Sequence, residues 1–275
     1  MSSGPHSESA SRDRPLEAPD YPAALHSVPN AEVDAGSYRV RFARTAEDLD
    51  AILRLRYRVF NLELGEGLEQ SHQTERDEDE LDARLHHLLI ESRKTGQVVG
   101  TYRMQTADMA RDQGGFYSDQ EFDLSGLPRE VIAGSVEIGR ACVASEHRNG
   151  RVLQLLWRGL AAYLTWNRKH VLFGCCSLTS QDPNFGLSVH RHLLGLGVMH
   201  RELRVEPRPR NRCEPEEDGR PVPPAHVPAL FQTYLTLGAR ILGPPAIDRQ
   251  FKTIDWLVIL DTTTIDPDTR RTFFR

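Results

Sequence analysis

Cysteine is sparse in this chain of 275 residues. Cys142, Cys175, Cys176 and Cys213 show no CxxC spacing, so neither a zinc site nor a disulfide framework is suggested. No apolar run approaches the 18 or so residues that a bilayer requires. The N-terminus has no basic-then-apolar signal, so the chain is expected to stay in the cytoplasm. There is no P-loop, and Gly186-Leu187-Ser188-Val189-His190 ends in His where a GxSxG nucleophile elbow needs Gly. Positive charge is not in excess. A formal net charge of −5 argues against non-specific binding of nucleic acid, and no nucleic-acid module is recognisable.

What is present is the composition of a soluble globular chain, 39% hydrophobic and 27% charged. Residues 1–36 are rich in Ser, Pro, Glu, Asp and His, so they are expected to be disordered and outside the folded unit. Residues 37–275 then read as one domain. Tyr38 to Phe42 alternates as a strand, and Thr45 caps a helix whose face is Leu49, Ile52, Leu53, Arg56, Tyr57 and Phe60. His87 to Glu91 and Val98 to Gln105 form a hairpin, Val171 to Ser177 is a further strand, and Asp182-Pro183 opens a helix through Leu194. Residues 204–228, rich in Pro, Arg and Glu, form a long surface loop or lid. A helix at Ala229 to Leu237 and a strand at Trp256 to Leu260 complete the order. The pattern predicts an α/β fold, a mixed sheet flanked by helices.

The central stretch is Val136 to Asn167. Val136 to Val143 reads as a buried strand, and Leu153, Leu156, Trp157, Leu160, Ala161 and Leu164 recur at helical spacing after it. Ser145, Glu146, Asn149 and Gly150 make the turn between them. Glu137 and Arg140 are three apart, and on a regular strand they would point to opposite faces. Gly139 lies between them, and a one-residue bulge there returns both charges to one face and leaves a backbone group unpaired. A buried ion pair bracing the sheet is the competing reading.

Arg56 falls on or beside an apolar helix stripe, where an unpaired charge is costly. Its partner is sought in the acid-rich run Glu75 to Asp82. That run is either a solvated loop or a place where Asp77, Asp79 and Asp82 line a pocket for a cation such as an ammonium. Calcium does not suit it, because Leu81 stands at the fifth position and no Gly follows. His72 and Asp77 have the HxxxxD spacing of glycerolipid acyltransferases, yet they sit in a polar loop without that family's apolar frame. A carboxylate, an arginine and a free strand N–H suit direct attack of an amine on a thioester without a covalent intermediate. Cys142 as nucleophile has no obvious His to serve it.

These residues resemble a bacterial branch of the GNAT acyltransferase superfamily. The resemblance rests on LRYRVFNLELG at 55–65, Asp77, Asp79 and Asp82 followed by His87, VVGTYRM at 98–104, FYSDQEFD at 116–123, VEIGRACV at 136–143 and LLWRGLAAY at 155–163. It covers roughly residues 38–262. The branch is that of the ornithine-lipid N-acyltransferases, often labelled hemolysin-like and related to acyl-homoserine-lactone synthases. Arg56 and Phe60, the three aspartates, Arg103, and Glu137 with Arg140 match the synthases' pattern.

The resemblance implies a GNAT-like single domain and transfer of a fatty acyl or 3-hydroxyacyl group from acyl carrier protein to the α-amine of an amino acid, ornithine first. Catalysis would fall to Glu137 as general base, Arg140, and a strand N–H near Cys142 or Val143 as oxyanion donor. Arg56, Phe60, Asp77, Asp79, Asp82, Arg103 and Phe116 would bind substrate. Cys142, Arg148 and Arg151 would meet the donor. The usual GNAT glycine loop for the pyrophosphate of coenzyme A is out of register at Arg148 to Leu153, which favours acyl-phosphopantetheine on the carrier over acyl-CoA; no bound cofactor or metal is expected. Arginines around the helix offer a basic face to an acidic carrier. An acylated product implies peripheral contact with the inner face of the plasma membrane. The rivals are another acceptor such as glycine, an autoinducer synthase, and a non-catalytic membrane-interacting protein.

Overall fold

The Thr45 hydroxyl accepts the N–H of Asp48 at 3.2 Å and so starts the first helix, satisfying one of its orphan donors. A computed structural model describes residues 21–217, 221 and 223–273. The chain opens with β1 (Val33–Ala35), β2 (Tyr38–Phe42) and α1 (Ala46–Tyr57). The helix runs on as a π-helical segment, Arg58–Leu64, and stops at Gly65, whose φ of 69° lies in the left-handed region. Then come α2 (Ser71–Thr74), β3 (His86–Ser92), β4 (Val98–Thr106), α3 (Ala107–Gln113), β5 (Phe122–Asp123) and α4 (Arg129–Ala133). They are followed by β6 (Ser135–Val143), α5 (Arg151–Trp166), β7 (Val171–Leu178), α6 (Pro183–Gly195), β8 (Glu206–Pro207) and α7 (Ala229–Thr236). The chain closes with β9 (Arg240–Ile241), β10 (Ala246–Asp248), β11 (Thr253–Asp261) and α8 (Pro267–Phe273).

One large sheet runs β1-β2-β3-β4-β6-β7-β11-β10, and β9 pairs with the other half of the β11 edge. Its neighbours are antiparallel except β6 and β7, which are parallel. Both faces are covered. On β3, Leu88 and Ile90 pack with Leu156 and Leu160 of α5, while Leu89 between them packs with Ile52 and Leu55 of α1. Alternate residues of a strand point to opposite faces, so a strand apolar on both needs a helix on each side. The mixed sheet flanked by helices is therefore as expected. Among the described residues no helix is long and apolar enough to cross a membrane.

Two features differ from expectation. Residues 1–20 lie outside the described residues, but residues 21–36 are packed on the domain. The Tyr21 hydroxyl meets Nδ1 of His87 at 3.0 Å, the Ala23 carbonyl accepts from Nε2 of His86 at 2.7 Å, Val28 is buried, and β1 extends the sheet edge. A few well-placed side chains anchor a stretch whose average composition is polar. The Pro- and Arg-rich stretch is also partly structured: β8 pairs with β5, and the backbone N–H of Arg208 donates to the carbonyl of Glu121 at 2.7 Å.

Candidate active site

β6 and β7 pair only over Ser135 to Glu137 against Val171 to Phe173, whereas β6 is laddered to β4, and β7 to β11, along most of their lengths. The sheet therefore splits into two arms beyond Glu137. Gly174 stands at the fork, where an added Cβ would lie 2.1 Å from the carbonyl oxygen of Ile138. A cavity of about 290 Å³ occupies the wedge. Towards α5 and α7 its walls are apolar and aromatic, with Tyr102, Trp157, Phe231, Tyr234 and Leu260. Towards the π-helical segment and the start of β11 they include Phe60, Glu66, Thr179, Phe251 and Asp255. Arg103, Tyr117, Glu137 and Arg140 lie between.

The bulge that the spacing of Glu137 and Arg140 demands is present, one step further on. Thr101 faces Cys142 and Arg103 faces Gly139, so Tyr102 alone opposes Arg140 and Ala141. Arg140 takes φ +48°, a conformation that a non-glycine residue adopts at a cost. Its guanidinium is held from several sides. Cζ lies 4.1 Å from the Phe251 ring centroid and 4.9 Å from that of Tyr117, and the head reaches Asp77 at 3.5 Å and Asp79 at 3.3 Å. These contacts offset the backbone strain. The extra residue of the bulge leaves a backbone group unpaired at Arg140 and Ala141. Beyond the bulge Cys142 and Val143 are back in register with Thr101 and Gly100; the N–H of Ala144 donates to the Val99 carbonyl at 2.9 Å, so by the alternation of an antiparallel ladder the Val143 N–H faces away from β4, toward the open side of the fork.

Arg56 finds its partners in the acidic run. Its side chain is fully buried and donates to Asp77 Oδ1 from Nε at 2.8 Å and to Asp82 Oδ1 from Nη1 at 2.6 Å. Arg103 Nη1 donates to both oxygens of Asp79 at 2.7 Å and to Asp82 at 3.0 Å. Nε2 of His87 lies 3.3 Å from Asp82. Burial would raise the Asp82 carboxyl, yet Arg56 and Arg103 outweigh it and hold it well below the ordinary carboxylate range. Asp79 is lowered for the same reason, with Arg103 the main attraction. The expected ammonium pocket on these aspartates is therefore already filled by three guanidinium groups. The cluster is a fixed brace behind Arg103 and Arg140.

Glu137 is buried at the fork. Its Oε2 accepts the N–H of Tyr117 at 2.8 Å, and its Oε1 accepts both the N–H of Ser118 at 2.8 Å and the Ser118 hydroxyl at 2.5 Å. Burial still wins over these donors, so the carboxyl titrates above its ordinary value. A carboxylate has about four lone-pair directions; Oε2 keeps one of its own. Glu137 thus also clamps the 3₁₀ turn Tyr117–Gln120 that aims the Tyr117 ring at Arg103 and Arg140.

Phe60 lines the cavity and stacks edge-on to Phe251, with centroids 5.3 Å apart. Phe116 does not line it: it is buried edge-on against Phe173 at 4.9 Å, a core residue, and its neighbour Tyr117 takes the cavity position. Cys142 points into the α1 cluster, where burial pushes its thiol up to about 12. Arg148 donates to the Val143 carbonyl at 2.9 Å and forms an ion pair with Glu63. Arg151 donates to the Ala35 carbonyl at 3.2 Å. Both arginines are exposed but engaged within the chain.

Sequence reasoning missed a second group of acids. Glu66, Glu121, Asp248 and Asp255 are all buried, and Glu66 and Asp255 line the cavity. Burial, with a push from Asp255 and against a hydrogen bond from Thr179, raises Glu66 to about 7. Burial raises Asp255 to about 6, against a hydrogen bond from Ser177. Glu121 is raised well above its usual value by burial and by Asp255 and Asp248.

Residues 55–158 match the acetyltransferase (GNAT) domain family. The L-ornithine N(alpha)-acyltransferase of Rhizobium meliloti is 34% identical over 238 residues, 80% of this chain and 78% of that protein. This chain belongs to that acyltransferase family. Its Rhodobacter capsulatus member is 34% identical over 87% of this chain and 95% of its own. Of solved structures, the acyl-homoserine-lactone synthase LasI aligns over 87% of this chain and 96% of its own, at 16% identity and a TM-score of 0.48. Membership makes the protein an amide-forming acyltransferase with a GNAT-like domain.

Proposed function

We propose that this acyltransferase moves a fatty acyl group, including a 3-hydroxyacyl group, from the phosphopantetheine of acyl carrier protein to the α-amine of ornithine. The observation that carries the reading is one cavity joining an aromatic-lined chamber to a charged mouth at a bulged strand. The chamber suits an acyl chain, because burying each methylene contributes about 0.8 kcal/mol. The thioester carbonyl then lies at the fork of β6 and β7. The amine nitrogen attacks that carbon, the C–N bond forms, and the oxyanion is met by a backbone N–H that β6 turns toward the fork, that of Val143 or one freed by the bulge at Arg140 and Ala141. Glu137 takes the amine proton through the free position on Oε2, directly or by a water. Collapse breaks the C–S bond, and the released thiolate takes up a proton.

Ornithine as acceptor is drawn from the relatives' activity. Acyl carrier protein as donor is favoured over coenzyme A because the turn before α5 has no glycine in register with a pyrophosphate cradle, and its Arg148 is already paired with Glu63. A long-chain product suits work at the inner face of the plasma membrane.

Mass spectrometry of lipids from a bacterium expressing the chain tests this reading. An N-acylated ornithine that appears with the wild type and not with Arg140→Ala supports it. A host that makes soluble protein and supplies ornithine, yet yields no such lipid, counts against it.

A further inference from the structure

The aspartates of the 77–82 run are each paired with an arginine, although Asp77 Oδ2 meets no donor among the described residues. A different pair of carboxyls is without a cation. Glu121 and Asp255 are each 3% exposed, and no arginine or lysine forms an ion pair with either among the described residues. Glu121 Oε2 and Asp255 Oδ1 meet no hydrogen-bond partner there, although Ser177 also approaches the Asp255 carboxyl. The acids come close enough to share a proton, and ligand atoms of Glu121, Cys175 and Asp255 all lie within 4.8 Å of one another. Asp255 and Cys175 line the cavity of the fork.

Buried carboxylate oxygens without donors are costly unless something donates to them. The surroundings are built to keep the pair in place. Thr253 Oγ1 donates to Asp255 Oδ2 at 3.2 Å, the Cys175 thiol lies 3.9 Å from Glu121 Oε1, and the arm around β8 fixes the backbone of Glu121 from outside. The pair sits on the β7 and β11 side of the wedge, across from the bulge on β6. An acceptor whose α-amine meets the thioester at the bulge would extend its side chain toward this wall.

We infer that Glu121 and Asp255 form the subsite for the side-chain ammonium of a diamino-acid acceptor, and so select such acceptors over neutral ones. The inference rests on the acyl transfer proposed above. The ammonium supplies the missing donors and lets both carboxyls ionise, replacing the shared proton by a charge-assisted contact. A neutral side chain of equal length would leave them as unmet as in the free protein.

The experiment measures binding by titration calorimetry, which does not depend on turnover. Ornithine is compared with norvaline, which has the same carbon skeleton without the side-chain amine, on the wild type, Asp255→Asn and Glu121→Gln. The wild type is expected to bind ornithine at least tenfold tighter than norvaline, and each variant to lose most of that ratio while keeping its norvaline affinity. The acylation assay should then show a raised KM for ornithine in the variants with kcat little changed. Equal binding of the two ligands by the wild type overturns the inference, and so does a ratio unchanged in the variants. Stoichiometric metal in the purified protein by elemental analysis would also overturn it. A wild type that prefers ornithine in binding but makes no amide would leave the subsite standing and sink the acyl-transfer reading instead. If the variants fail to fold, the wild-type ratio alone decides.

Discussion

Gly174 sits so close to Ile138 that a Cβ on it would fall 2.1 Å from that residue's carbonyl oxygen. Backbone cannot yield as a flexible side-chain end does, so β7 and β6 can fork at this point only with glycine there. Gly174→Ala should therefore push the arms apart or break the short parallel pairing below. A cost at or above the roughly 1–3 kcal/mol of ordinary overpacking is expected. Urea unfolding measures it, and an alanine variant as stable as the wild type would show that the fork has slack.

Arg56 is the buried cation on which Asp77 and Asp82 depend. Arg56→Met should cost about 3–5 kcal/mol, because it leaves those carboxylates uncompensated rather than removing a pair. Asp82 adds a pH signature. Its folded pKa is depressed, so the stability it contributes is present above its unfolded value of about 4 and lost as pH falls through the lower folded one. The variant should lose this contribution, so its deficit in urea midpoint should narrow below pH 4. A deficit constant with pH would mean that packing, and not charge, makes Arg56 necessary.

Glu66 behaves in the opposite sense. It holds its proton up to about pH 7 when folded and only to about 4 when unfolded. Ionising it therefore costs stability as pH rises between those values, and the full penalty is present above 7. Glu66→Gln should gain little at pH 5 and on the order of 1–3 kcal/mol at pH 8. Chemical denaturation at the two pH values checks the sign.

Trp157 closes the aromatic end of the cavity, edge-on to Tyr234 with centroids 5.7 Å apart. Tyr234 is in turn hydrogen-bonded to Tyr102. Trp157→Leu should lengthen the chamber, and the acyl groups of the product should shift to longer chains by mass spectrometry. An unchanged distribution would place the chain elsewhere.

Much of the framework was legible because it is periodic. The helix after Thr45, the hairpin to Gln105, the strand-turn-helix from Val136 and the last strand all appear within a few residues of their expected bounds. The bulge could be inferred from two charges three apart, but its position could not. A glycine is the cheap residue for a positive φ, and here Arg140 takes it, sustained by Phe251, Tyr117 and two aspartates that only the fold brings together. Arg56 announced that it needed a partner, yet the sequence does not say that Arg103 and Arg140 would claim the same acids. Glu121 and Asp255 were invisible for a similar reason. They lie far apart in the chain on elements with no shared motif, and meet through the pairing of β7 with β11 and of β5 with β8.

In the proposed reaction an amine attacks a carrier-borne thioester at the fork of the sheet. Purified protein is incubated with acyl carrier protein loaded with a 3-hydroxyacyl chain and with ornithine, and the product is fragmented in the mass spectrometer. The account predicts an acyl group on the α-nitrogen, one free carrier thiol per amide formed, and no acylated form of the enzyme before ornithine is added. An acyl adduct on the protein itself, or an acyl group on the side-chain nitrogen, would contradict it.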